Sequence, residues 1–272
     1  MKAMCSGSAN AMALAGGFDQ SSTGTSGTSI FDPVLTELAY RWFCPEGGQI
    51  LDPFAGGSVR GVVASVLGYR YCGIDLRPEQ IDANRMQAIA IVPDNLPDWR
   101  LGDSAKISEI ASDIEADFIF SCPPYGSLEV YSDDPRDLST MTDNGFVEAY
   151  GVIIKAVCAR LKNNRFACFV VGDYRLKNGN YCNFIGKTVA AFSAAGLSFY
   201  NEAILVTAVG SLPVRVGKQF FSGRKLGKTH QNILVFVKGD GRKAAQYINS
   251  CSTSEVGFTD DEPPLDDLDD AT

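Results

Sequence analysis

Along residues 29–240, short apolar runs alternate with stretches whose apolar positions recur at helical spacing. Runs of the first kind fall at 49–53, 69–75, just before Gly102-Asp103, 116–122, 166–171, 199–207 and 232–238. The 116–122 run is almost continuously apolar, which predicts a strand buried on both faces. Helical period appears at 34–43, 58–67, 77–91, 142–161 and 184–195. The punctuation agrees: Asp32 or Ser29 can cap the first helix and Cys44-Pro45 ends it, while Gly68 stops the second. Pro78 sits in the first turn of the third, and Thr142 or Asp143 opens the fourth. Alternation of this kind predicts an α/β fold built on a mostly parallel sheet. The last two strands follow one another with no helix expected between them, which predicts an antiparallel pair at one edge. Their connection, 208–231, is far longer than a hairpin turn and is read as a functional loop.

Composition bounds this picture. The chain has 272 residues, 45% hydrophobic and 21% charged, which suits one soluble domain with tails. Residues 1–28 are rich in Gly, Ser, Thr and Ala without periodicity and are expected to be disordered, as is the acidic tail at 241–272. No apolar run is long enough to cross a membrane, and the N-terminus lacks a signal-type apolar core. Eight cysteines occur with no Cys-x-x-Cys pair and with one histidine, His230, so no metal site is expected. Cys72, Cys158 and Cys168 fall within apolar runs and read as reduced core residues, which implies a reducing cytoplasm. The net charge of −8 is segregated. Eight acids and no base lie in 251–272, leaving the rest near neutral, whereas 208–231 holds Arg215, Lys218, Arg224, Lys225 and Lys228 with no acid. An acidic total therefore does not exclude nucleic-acid binding.

Two motifs carry candidate chemistry. Asp52-Pro53-Phe54-Ala55-Gly56-Gly57-Ser58 follows the first strand and opens a helix. Its glycines permit close backbone approach and leave N–H groups at a positive helix end. Asp75 ends the second strand, where an acid commonly accepts bonds from ribose hydroxyls. A dinucleotide enzyme would fit this much, but Gly-x-Gly-x-x-Gly is absent. Asp52 would also repel a pyrophosphate and favour an ammonium, so a nucleoside with an amino-acid tail fits better. The second motif is Ser121-Cys122-Pro123-Pro124-Tyr125, just past the buried strand. Two prolines give a rigid bend without N–H donors, with an aromatic ring beside it, suited to a flat amine-bearing group such as a nucleobase.

In order, the Asp-Pro-Phe motif, Asp75, Gly102-Asp103-Ser104 and Cys-Pro-Pro-Tyr resemble the motifs of S-adenosylmethionine-dependent DNA amino-methyltransferases, which make N6-methyladenine or N4-methylcytosine. Phe31-Asp32-Pro33-Val34-Leu35 resembles the family's segment at the methionine end, and Leu128 to Asp134 looks like phage and bacterial modification methylases. The resemblance spans about 29–240. It implies a Rossmann-like methyltransferase fold, with a seven-stranded, mostly parallel sheet, an antiparallel edge strand and helices on both faces. S-adenosylmethionine would be the cofactor. Phe31, Asp32, Asp52, Pro53, Phe54, Gly56, Gly57 and Ser58 would lie toward its methionine and loop side, Asp75 on the ribose, and Asp103 and Ser104 toward the adenine. Cys122, Pro123, Pro124 and Tyr125 would hold the target base.

Methyl transfer to an exocyclic amine is an in-line displacement by a poor nucleophile. Acceptors at a side chain and a proline carbonyl can localise the nitrogen lone pair, so positioning supplies the catalysis. Tyr125 would stack on the flipped base. The family has Asp, Asn or Ser where this chain has Cys122, a weak acceptor, and strand alternation aims Ser121 to the other face. Cysteine is nearest to serine, which leans toward cytosine. Attack by the thiol on a pyrimidine ring is discounted because the Pro-Pro-Tyr context belongs to amino-methylation. Residues 126–142, with Glu129, Tyr131, Asp133 and Asp134, read as lid or base-pocket residues.

The 208–231 cations alternate with Phe220, Phe221 and four glycines, as expected of a phosphate-contacting segment, and His230 joins them. The expected partner is DNA, double-stranded with its target base flipped out, with a homodimer or a specificity partner as further options. The site would be a bacterial or phage-infected cytoplasm. The rival readings are an RNA or tRNA amino-methyltransferase, and a catalytically silent protein that binds cofactor and nucleic acid.

Overall fold

In the computed structural model, residues 30–126, 130–207, 209 and 212–248 are described, apart from the Arg215 side chain. Seven strands form one sheet: β1 (Gln49–Asp52), β2 (Arg70–Asp75), β3 (Asp98–Leu101), β4 (Ala116–Ser121), β5 (Leu161–Val171), β6 (Ser198–Val206) and β7 (His230–Lys238). Their order is β3-β2-β1-β4-β5-β7-β6. The first five are mutually parallel, and β7 runs antiparallel between β5 and β6. The expected antiparallel pair is therefore present, with its reversed strand one place in from the edge. Strand order reverses between β1 and β4, and their carboxyl ends carry Asp52 and Ser121. Open α/β sheets bind ligands at this crevice.

Helices cover both faces because successive strand side chains point to opposite sides. One face, with Leu51, Ile119, Phe169 and Phe236, packs on α4 (Ile107–Ile110), α5 (Asp143–Arg160) and α6 (Phe184–Ala194). The other, with Ile50, Phe118, Phe120 and Val235, packs on α1 (Pro33–Phe43), α2 (Val59–Val66) and α3 (Pro78–Ile91). Every residue of β4 is buried, as its apolar run predicts. Cys72, Cys158 and Cys168 are buried thiols. Asp32 does cap α1, accepting from the N–H groups of Val34 at 2.8 Å and Leu35 at 3.3 Å. Among the described residues no helix is long and apolar enough to cross a membrane.

Three expectations are corrected. The connection 208–231 contains a helix, α7 (Leu212–Gly223). Its glycines and Pro213 argued for a loop, yet Leu212, Val216 and Gln219 form a half-buried stripe at helical spacing. Leu212 also packs where a Cβ on Gly227 would fall, 2.8 Å from its Cδ2. Tertiary contact here outweighs a glycine cost of about 1 kcal/mol per residue. The acidic tail does not begin at 241, because Asp240 caps a short helix, α8 (Gly241–Ala245), and Ala244 is buried. Finally, β5 starts at Leu161 rather than 166, with a register shift against β4 between Ala116 and Phe118. Asn164, at φ 53°, absorbs the irregularity in a run of polar residues that carries no strand signal. The expected N-terminal tail and residues 251–272 lie outside the described residues.

Candidate active site

The turn after β1 is organised by Asp52, which is fully buried. Its Oδ1 accepts from Ser121 Oγ at 2.5 Å and from the Phe54 N–H at 3.0 Å. Its Oδ2 accepts from Arg60 Nε at 2.6 Å and from the Tyr71 hydroxyl at 2.8 Å. A carboxylate offers about four acceptor sites, and all are filled. The charge of Asp52, expected beside the cofactor's methionine end, is answered within the protein by Arg60, and the four bonds hold the turn. Arg60 is itself buried, and its Nη2 donates to the carbonyls of Phe54 at 2.6 Å and Ala55 at 3.0 Å. Burial disfavours the guanidinium charge, but Asp52 outweighs it and raises the Arg60 pKa. Burial, then Asp52, pushes the Tyr71 hydroxyl well above its usual range.

Phe31 stands over this network, 4.7 Å from the Arg60 guanidinium and 5.8 Å from the Phe120 ring, edge to face. The segment before α1 thus meets the turn and the end of β4 together. Asp32 is exposed and its carboxylate serves the helix cap.

Gly56, at φ +49°, and Gly57 face open space, since a Cβ at either meets nothing within 4 Å. The loop is tied down behind them. Asp75 Oδ2 accepts the Gly56 N–H at 2.9 Å, and Asn84 Nδ2 donates to the Gly56 carbonyl at 2.7 Å. Ser58 Oγ bonds Gln87 rather than capping α2. Asp75 Oδ1 accepts from the Arg77 N–H at 2.9 Å. Each Asp75 oxygen thus keeps a lone pair for a further donor. Burial raises the Asp75 pKa against the lowering effect of the Arg77 and Gly56 N–H groups and the Arg77 charge.

At the next strand end, the Gly102 N–H donates to the Asp75 carbonyl at 2.9 Å. Asp103 caps a 3-10 turn through the Ala105 N–H at 2.9 Å, and Ser104 Oγ donates to the Pro53 carbonyl at 2.6 Å. Pro53, Gly56, Asp75, Asp103 and Ser104 therefore share one rim, while Phe54 turns inward to stack on Tyr150 at 6.1 Å. The segment after the Cys-Pro-Pro-Tyr corner reaches this rim through Tyr131. The Arg77 guanidinium lies 5.8 Å from the Tyr131 ring, and Asp137 caps the turn Leu138–Thr140. Asp134 pairs with Arg136 at 2.6 Å; Glu129 lies outside the described residues.

At the corner itself, Ser121 is fully buried and bonded to Asp52. Cys122 and Tyr125 are half-buried. The Tyr125 ring does not stand free, because it meets Phe184 edge to face at 6.2 Å. Its hydroxyl accepts from Gln231 Nε2 at 3.0 Å and lies 3.8 Å from Cys122 Sγ. Burial, then Cys122, holds that hydroxyl well above its usual pKa.

The cations expected on the 208–231 segment divide. Lys218, Arg224 and Phe221 of α7 and its end are exposed, and the Arg224 guanidinium lies 5.0 Å from the Phe220 ring. Lys225 is half-buried. Lys228, expected among the phosphate contacts, is buried, and burial lowers its pKa against the attraction of Asp173. His230 opens β7, and burial, then Lys228, lowers its pKa. The Arg215 side chain lies outside the described residues.

Arg60, Tyr71, Asn84 and Gln231 escaped the sequence reading. Arg60 alone had a local signal: a lone base in the first turn of the helix that the Asp52 turn opens. The others act across 19 to 106 residues of chain.

No protein-family model matches this chain, and no curated protein sequence matches it. Solved structures do. TrmN from Thermus thermophilus is 17% identical with a TM-score of 0.51, covering 76% of this chain, which spans 49% of that one. The [4+2]-cyclase SpnF is 12% identical with a TM-score of 0.55, over 81% of this chain and 86% of its own. A protein from Galdieria sulphuraria assigned as a sarcosine dimethylglycine methyltransferase is 14% identical with a TM-score of 0.50, over 76% and 84%. At these identities the likeness is one of fold, and the chain has the Rossmann-like sheet that these proteins share.

Proposed function

We propose that this chain transfers a methyl group from S-adenosylmethionine to the exocyclic amino group of a nucleobase in DNA, at cytosine N4 or adenine N6. The observation that carries the proposal is the Asp52–Ser121 bond. It joins the glycine turn to the Cys-Pro-Pro-Tyr corner at the sheet's switch point, so a donor site and an acceptor site share one rigid floor. The order of motifs along the chain supports it; the fold by itself does not choose the reaction, since one fold accommodates many.

The residues present suit the cofactor. Gly56 and Gly57 leave a cradle that any side chain would fill, and Asp75 retains acceptor capacity for ribose hydroxyls. Asp103 and Ser104 border the adenine side, and Phe31 borders the methionine side with Asp32 holding its helix in place. When bound, S-adenosylmethionine supplies an electrophilic sulfonium methyl. The protein's part is to hold the amine in line with it. Cys122 and the Pro123 carbonyl accept the amine's hydrogens, Pro124 keeps the bend rigid and Tyr125 offers its ring to the base. Lys218, Arg224 and Lys225, with Arg215, contact phosphates.

Incubation with methyl-labelled cofactor and duplex DNA or RNA tests the proposal, with nucleoside mass analysis of the product. Label in an exocyclic amine of DNA is expected. Label in RNA alone gives the enzyme a different polymer, and cofactor binding without transfer to either makes the chain catalytically silent.

A further inference from the structure

We propose that Gln231 is a positioning residue of the corner, holding Cys122 in its working orientation through the hydroxyl of Tyr125. This rests on the amino-methyltransferase reading. Gln231 is buried, 6% exposed, on β7 opposite Leu205, and its Nε2 donates to the Tyr125 hydroxyl at 3.0 Å. A phenol has one proton to give. With its oxygen receiving from Gln231, that proton is directed to Cys122 Sγ at 3.8 Å, a long but workable contact for sulfur. The chain of donors therefore runs Gln231 to Tyr125 to Cys122, and donation into one end strengthens the bond at the other. Burial and Cys122 keep the Tyr125 hydroxyl protonated, as this direction requires.

The arrangement answers a chemical need. A thiol at 122 is a weaker hydrogen-bonding group than the Asp, Asn or Ser of the motif it resembles. A bond from Tyr125 fixes its sulfur relative to the Pro-Pro bend. Tyr125 is held in turn at both ends, by Phe184 on the ring and Gln231 on the hydroxyl. Gln231 touches neither base nor cofactor in this scheme.

The test uses the full-length protein and its variants Gln231→Met, Tyr125→Phe and the double variant. The first keeps side-chain length without donors, and the second keeps the ring without its hydroxyl. Labelling of Cys122 by N-ethylmaleimide, read on the peptide that contains it, needs no substrate. Donation to sulfur favours the thiolate, so each single variant should slow labelling about 3- to 10-fold. The double variant should be no slower than Tyr125→Phe alone, because both substitutions cut one chain. In methyl transfer, Gln231→Met should lower kcat about 10- to 100-fold with cofactor Kd unchanged, as misplacement of a reacting group does. Wild-type labelling in Gln231→Met, or additive effects in the double variant, overturns the proposal. If the wild-type protein methylates no polymer, the functional reading fails while the labelling cycle still decides the role of Gln231.

Discussion

Asp52 and Ser121 lie 69 positions apart in sequence, yet Oδ1 of one accepts from Oγ of the other at 2.5 Å inside the core. The ends of β1 and β4 are thereby one unit. Any ligand that settles the glycine turn also settles the residue before Cys122. Asp52 reaches the site by holding its walls, with Arg60, Tyr71 and the Phe54 N–H as the other three partners.

Arg60→Met should show how far the turn depends on that network. Removing the guanidinium leaves the Asp52 charge buried with neutral donors only, which costs about 3 kcal/mol. Denaturant unfolding should register the loss, and cofactor affinity should fall with it, since the Phe54 and Ala55 carbonyls lose their donor. Unchanged stability would show that Arg60 is not the partner of a charged Asp52.

Gly57→Leu separates the cradle from the fold. Gly57 has no positive φ and faces open space, so a side chain there strains nothing in the free protein. Thermal unfolding should stay within about 1 °C of wild type, because surface changes clear of packing are nearly neutral. S-adenosylmethionine affinity by calorimetry should drop at least about tenfold, equal to about 1.4 kcal/mol. Retained affinity would move the cofactor away from this loop.

The split among the cations predicts a split in salt response. Lys218→Gln, Arg224→Gln and Lys225→Gln together should make the dependence of log K on log salt shallower by about 2 to 3 for duplex DNA. Lys228→Gln should leave that slope alone, because the amine is buried near Asp173. A slope that changes with Lys228 and not with the other three would reverse the assignment.

Asp117 sets an acid limit on stability at the opposite end of the sheet. Burial works to raise its pKa, but the Gln49 N–H at 3.0 Å, Lys162 at 2.9 Å and Arg165 at 3.2 Å prevail and lower it. A folded pKa below the unfolded value of about 3.9 means stabilisation that is complete above it and lost as pH falls through the folded value. Asp117→Asn should cost about 1–2 kcal/mol at pH 7. The gap from wild type should close on acidification below pH ~4. A gap that persists into acid would assign the effect to packing.

Local signals determined much of this protein. Apolar period, Asp32, Pro78, Thr142 and Gly68 suffice to place most helices and strands, because caps and side-chain alternation act within a few residues. Alternation also determined the mostly parallel sheet, while the strand order that puts the Asp-Pro-Phe and Cys-Pro-Pro-Tyr motifs at adjacent strand ends came from the tertiary structure. Tertiary structure decided what those residues do. Helix α7 forms on contacts that its glycines obscured, and Lys228 is buried although Leu226 and Gly227 just before it are exposed. Asp52 spends all its acceptor sites on Ser121, Arg60, Tyr71 and Phe54, and Tyr125 answers to a glutamine 106 positions away. A residue type announces which bonds it can make. Which partners complete them depends on burial and approach across the folded sheet, where an unmet buried polar group is costly and its partner is whatever the topology brings beside it.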